Sequence, residues 1–109
     1  MNDFNTLAEA IRAFNKERDW DQFHNGKDLA IALSIEAGEL LEAFLWKSPA
    51  DVKKEKLEEE LADVFIFAIQ IADKYNIDIM DIVLNKVRKN SEKYPVEKAK
   101  GTARKYNEF

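Results

Sequence analysis

A chain of 109 residues, 46% of them hydrophobic, has material for one domain, residues 1–109, with a modest core. It contains no cysteine, which excludes a disulfide framework and a thiolate metal site. The formal charge of −4 conceals an acidic middle and a basic end, since from Lys86 onward eight basic residues face three acidic ones, a local balance of +5.

That basic end suits either a solvated, charge-mixed surface or a polyanion such as a nucleotide phosphate chain or nucleic acid, and charge alone does not choose. Residues Met1 to Thr6 lack the basic stretch and apolar block of a leader, and no apolar run nears the roughly 18 residues of a membrane span. A cytoplasmic protein without a membrane partner is expected.

Three glycines and two prolines punctuate segments whose apolar residues recur every three and four positions, so helices are expected to dominate, with no strand of useful length. The first is predicted from about Asp3 to Arg18, with Phe4, Leu7, Ile11 and Phe14 as its apolar stripe. An aromatic-rich loop, Asp19 to Gly26, follows. Asn25 should cap a second helix ending near Trp46.

Ser48, Pro49 and Asp51 have the order of a cap, a first-turn proline and a capping-box acid, which predicts a third helix from there to about Tyr75. Asp78, with Asp81 three residues on, starts a fourth that Pro95 should stop near Tyr94. The tail from Val96 is expected to be irregular.

On a wheel turning about 100° per residue, Glu36 falls beside Leu29, Leu33, Leu40 and Ala43, while Glu39 lies beside Ala32 and Ala43. Glu60 and Asp63 share a side with Leu57, Val64, Phe67 and Ile71. A single such pair is ordinarily a solvated stripe paired with lysines. Two pairs on two apolar faces, with a turn between them, point instead to a shared cation, because a buried carboxylate must neutralise, pair or bind a metal. An all-carboxylate set suits Mg²⁺, or Mn²⁺, better than zinc, and the lone His24 lies in a loop. Phosphate chemistry follows naturally from such an ion.

The pairs Glu36-Ala-Gly-Glu39 and Glu60-Leu-Ala-Asp63 resemble the ExxE…ExxD signature of the MazG-like all-α nucleotide pyrophosphohydrolases. The stretch from Glu17 to Trp46, with Lys86 to Gly101 and Arg104 to Tyr106, resembles the branch of small bacterial members and the animal dCTP pyrophosphatase. The resemblance implies a four-helix MazG-like bundle, and because Phe65, Ile66, Phe67, Ile69 and Ile71 point almost all round the third helix, assembly as a homodimer or homotetramer is expected, as the resemblance also implies. It also implies Mg²⁺-dependent hydrolysis of a nucleoside triphosphate to monophosphate and pyrophosphate, and no stable nucleic-acid partner is expected.

By the same resemblance Glu36, Glu39, Glu60 and Asp63 are the metal ligands; one of these acids, Glu36 or Glu39, is also expected to accept the proton of the attacking water. Trp20 and Trp46 flank the base, and Lys86, Asn90, Lys93 and Tyr94 approach the phosphates or sugar. From the residues alone, each tryptophan would be assigned to packing and the fourth-helix side chains to a solvated face. Ile11 and Phe67 stand where the animal enzyme has a histidine and a tyrosine, so dCTP specificity is not carried over. The rival class is a non-catalytic helical module that binds nucleotides or nucleic acid around a structural ion, although no phosphate loop, zinc finger or RNA-binding motif supports it.

Overall fold

The computed structural model describes residues 3–108, and within them every regular element is helical. Five α-helices occur: α1 (Phe4–Glu17), α2 (Gly26–Glu42), α3 (Lys54–Lys74), α4 (Ile79–Lys93) and the short α5 (Val96–Ala99). Two compact units result, residues 1–76 with α1 to α3 and residues 77–109 with α4 and α5.

Local chemistry sets most boundaries. Asp3 caps α1 by accepting from the Thr6 N–H at 2.8 Å, and Asp19 ends that region in the left-handed conformation, φ 53°. Asn25 caps α2 reciprocally, its Oδ1 accepting from the Asp28 N–H and its Nδ2 donating to the Asp28 carboxylate, both at 2.8 Å. Gly26 opens α2 beneath the Tyr75 ring, which a Cβ at that position would strike.

Three expectations need correction. Ser48 does not cap the third helix: its hydroxyl donates to Asp51 at 2.8 Å, closing a separate 3₁₀ turn over Pro49–Asp51, and extended Val52 defers α3 to Lys54. The second helix ends at Glu42, because the chain turns and Trp46 takes a left-handed φ of 62° that no continuing helix accommodates. The tail is not wholly irregular, since the Pro95 carbonyl accepts from Lys98 and Ala99 and starts α5.

In the first unit α2 packs along α3, and α1 lies against α3. The core is small: Ala8 and Ile11 from α1, Leu29 from α2, Ala43, and Ile69 and Ala72 from α3. The buried face of α1 is Ala8, Ile11 and Asn15, so the expected stripe is displaced: Leu7 and Phe14 remain about half exposed. Arg12 fastens α1 to α3 through two bonds to Asp73, both 2.9 Å. In the second unit Asp78 caps α4 by accepting from the Asp81 N–H at 3.2 Å, and Tyr94 meets Tyr106 edge-on at 6.1 Å.

Candidate metal and nucleotide site

An i, i+3 spacing sets Glu60 and Asp63 one above the other on α3, on the side where α2 brings Glu36. Each of the three acids offers an oxygen within 4.8 Å of the others. Glu39, one turn beyond Glu36, interacts with both Glu36 and Glu60. The four acids expected to act together are therefore neighbours, three of them in a tight triangle.

Their electrostatics are uneven. Burial, then the adjoining Glu39 and Asp63 carboxylates, pushes Glu36 up to about 7. Glu60, only 5% exposed, is moved the other way because the Lys56 ammonium donates to its Oε1 at 2.8 Å. Lys56 is held above the usual lysine value by the same pair. One ammonium does not answer this concentration of acid. Oε2 of Glu36 and Oε2 of Glu60 are both buried without a hydrogen-bond partner. Orphaned oxygens on hard, anionic donors are what a divalent cation of the Mg²⁺ or Mn²⁺ type requires, so the residues fit such an ion.

Asp63 also borders a cavity of about 420 Å³ between α1, α3 and the loop after α1. Its apolar wall includes Ile11, Phe14, Ile66 and Phe67, and Trp20 lies at its side with the Phe14 ring edge-on at 5.5 Å. Polar groups enter at Asn15, His24 and Gln70. An apolar space with few polar groups, next to an acid cluster, has the chemistry to take an aromatic ring.

Trp20 thus lines this cavity, whereas Trp46 does not and is 94% exposed within one chain. Lys86, Asn90, Lys93 and Tyr94 belong to the second unit, the first three along an exposed face of α4, with the Lys93 ammonium 4.9 Å from the centre of the Tyr106 ring. Four residues went unforeseen: Lys56, Asn15, His24 and Gln70. Lys56 was legible as an i, i+4 partner of Glu60. The amides carry no such signal, because an isolated Asn or Gln on a helix reads as solvent-facing.

The family model described as MazG-like matches residues 31–109. Rat dCTP pyrophosphatase 1 (Rattus norvegicus) is 39% identical over 104 residues, covering 88% of this chain and 61% of the relative. The human protein of the same name (Homo sapiens) is 38% identical, with the same two shares. The chain therefore spans about three fifths of the length of these curated relatives. A solved pyrophosphatase from Archaeoglobus fulgidus DSM 4304 superposes with a TM-score of 0.79 at 35% identity, covering 87% of this chain and 94% of that one. Carboxylate pairs on two adjacent helices, an all-helical fold and a family match over most of the chain lead to one conclusion: the chain belongs to the MazG-like family.

Proposed function

We propose that residues 1–109 act as one catalytic domain that hydrolyses a nucleoside triphosphate at the α-phosphorus, giving the monophosphate and pyrophosphate. The observation that carries this reading is the sharing of Asp63 between the acid triangle and the aromatic cavity, which supplies a cation site and a ring site in register. Similarity to proteins named dCTP pyrophosphatase 1 supports it.

Glu36, Glu39, Glu60 and Asp63 would hold Mg²⁺, with Mn²⁺ as a substitute. When bound, the ion supplies charge neutralisation and polarisation of the α-phosphoryl group. Lys56 keeps Glu60 ionised and oriented as a ligand. Glu36 or Glu39 takes the proton of the attacking water. Trp20 stacks on the base, and Trp46 flanks it in the assembled protein. Lys86, Asn90, Lys93 and Tyr94 neutralise and orient the phosphates and sugar, a task of position more than of covalent chemistry.

The reading includes assembly as a homodimer or homotetramer. Leu41, Leu61 and Phe65 in the first unit are exposed in the single chain, as are Val83, Leu84 and Val87 in the second. Apolar surface of that extent is ordinarily covered by another protomer. A cytoplasmic role in clearing unwanted nucleotides suits the chemistry.

The test is turnover of canonical and modified triphosphates with Mg²⁺ in ¹⁸O-labelled water, with both products identified. Label in the monophosphate, beside intact pyrophosphate, is expected. Release of diphosphate and orthophosphate, or no hydrolysis of any triphosphate, overturns the proposal.

A further inference from the structure

The first turn of α3 carries Lys54 and Lys56, and no side chain caps it. Ammonium groups are unfavourable there, beside the positive end of the helix dipole, and Lys four residues before Glu is the weaker order for a pair along a helix. Lys56 nevertheless donates to Oε1 of Glu60 at 2.8 Å, with half of its own side chain in water and the Glu60 side chain 7% exposed. Lys54, by contrast, comes only within 4.0 Å of Glu58, and both of those side chains are exposed. Helix energetics does not account for the short pair. The acid cluster does: Glu36, Glu60 and Asp63 each bring an oxygen within 4.8 Å of the others, and a buried carboxylate among like charges draws whatever cation reaches it.

One ammonium is an incomplete answer to that cluster. It bonds Oε1 of Glu60, while Oε2 of Glu60 and Oε2 of Glu36 stay buried without a partner. A divalent ion brings twice the charge and draws on several oxygens at once. Two cations on the Glu60 carboxylate repel each other, and it is the half-exposed lysine, on its long flexible stem, that can retreat into water. We propose that Lys56 is a resident counter-ion that competes with the divalent ion for Glu60: it holds Glu60 in place before the ion arrives, and it weakens metal binding, so that the site loads only where the ion is plentiful. The inference rests on the four acids being the ion site of the proposed function.

Mn²⁺ alone is the probe, titrated without nucleotide at fixed pH and salt, with the free ion followed by its electron paramagnetic resonance signal. The wild-type chain is expected to bind Mn²⁺, and Lys56→Met to bind it at least about fivefold more tightly. Lys56→Gln, a second neutral side chain, should match Lys56→Met, whereas Lys56→Arg keeps the charge and should stay within about twofold of wild type. Lys54→Met removes the same charge from the same turn, at a residue paired with Glu58, and should also stay within about twofold. The gain in melting temperature between chelator and a fixed Mn²⁺ concentration should follow the same order. Circular dichroism establishes that each variant is folded. Unchanged or weaker Mn²⁺ binding in Lys56→Met and Lys56→Gln overturns the inference, as does an equal gain in Lys56→Arg or Lys54→Met. Absence of Mn²⁺ binding in the wild type, or binding unaffected by Asp63→Asn, overturns the metal reading and the inference with it, so the two failures are told apart.

Discussion

Arg12 and Asp73, 61 positions apart, are joined by two guanidinium bonds of 2.9 Å each, and this bridge holds α1 against the last turn of α3. Asn15 on α1 and Gln70 on α3 lie one turn away and face the cavity. Both partners are partly exposed, so Asp73→Ala should cost about 1 kcal/mol of stability. Urea denaturation at low and high salt checks this, since the loss should shrink as salt screens the pair. If α1 loosens as expected, KM should rise by more than kcat falls. A loss confined to kcat would place the bridge outside ring binding.

The acids themselves give a sharper result. Glu39→Gln and Asp63→Asn should each reduce Mg²⁺-dependent turnover by about a hundredfold or more while the helical signal persists. Without the ion these variants should melt no lower than the parent, because each removes a charge from a crowded cluster. Near-normal turnover in either variant would remove that residue from the site.

Acidity and metal should act on stability in opposite senses. The folded value of Glu36, about 7, exceeds the ordinary 4.5, so the folded chain binds a proton there more tightly than the unfolded chain does. Its ionised form therefore weighs against folding above about pH 7, and that burden lifts as pH falls toward 4.5. Glu60, shifted below the ordinary value by Lys56, contributes oppositely only at lower pH. The metal-free protein should thus melt higher at about pH 5.5 than at about pH 8. With saturating Mg²⁺ the order should reverse, since an ionised Glu36 is the better ligand. Melting curves in chelator and in Mg²⁺ decide it, and a chelated protein more stable at the higher pH would contradict the assignment.

Trp20→Ala should raise KM several-fold with a smaller change in kcat, in keeping with a stacking loss of about 1–3 kcal/mol that bears mainly on binding. Trp46→Ala should do the same only under conditions where the protein is assembled. Steady-state kinetics across a dilution series separates the two.

Light scattering coupled to size exclusion at low micromolar concentration should return a dimer or a tetramer. A stable monomer that still turns over triphosphate would mean that Leu41, 73% exposed, and Phe65 tolerate water without a neighbouring chain.

The order of the long helices was legible because Asp3, Asn25 and Asp78 cap with ordinary short-range chemistry, and the acid cluster because its carboxylates interrupt apolar faces. What escaped involved choices between partners. Ser48 had two uses, and its bond to Asp51 prevailed over capping. Pro95 does stop α4 just after Tyr94, and its fixed φ also suits the start of the short α5. Phe14 has the periodicity of a core residue, yet Trp20 and the Arg18 guanidinium, 3.7 Å from its ring centre, retain it at a cavity edge. Gln70 could be placed on a helix but not against a cavity, since that depends on how far α1 sits from α3.

The water-facing indole of Trp46, carried on a residue with left-handed backbone, gives the protein an optical reporter of its own. An indole in water emits at longer wavelength than one in an apolar setting, and this chain has one fully hydrated tryptophan beside one half-shielded by Phe14. Blue-shifting of the redder component on concentration would mark a neighbouring chain closing over Trp46. Quenching of the bluer component on nucleotide addition would mark a base arriving at Trp20, so two events at separate places can be followed in one unlabelled sample.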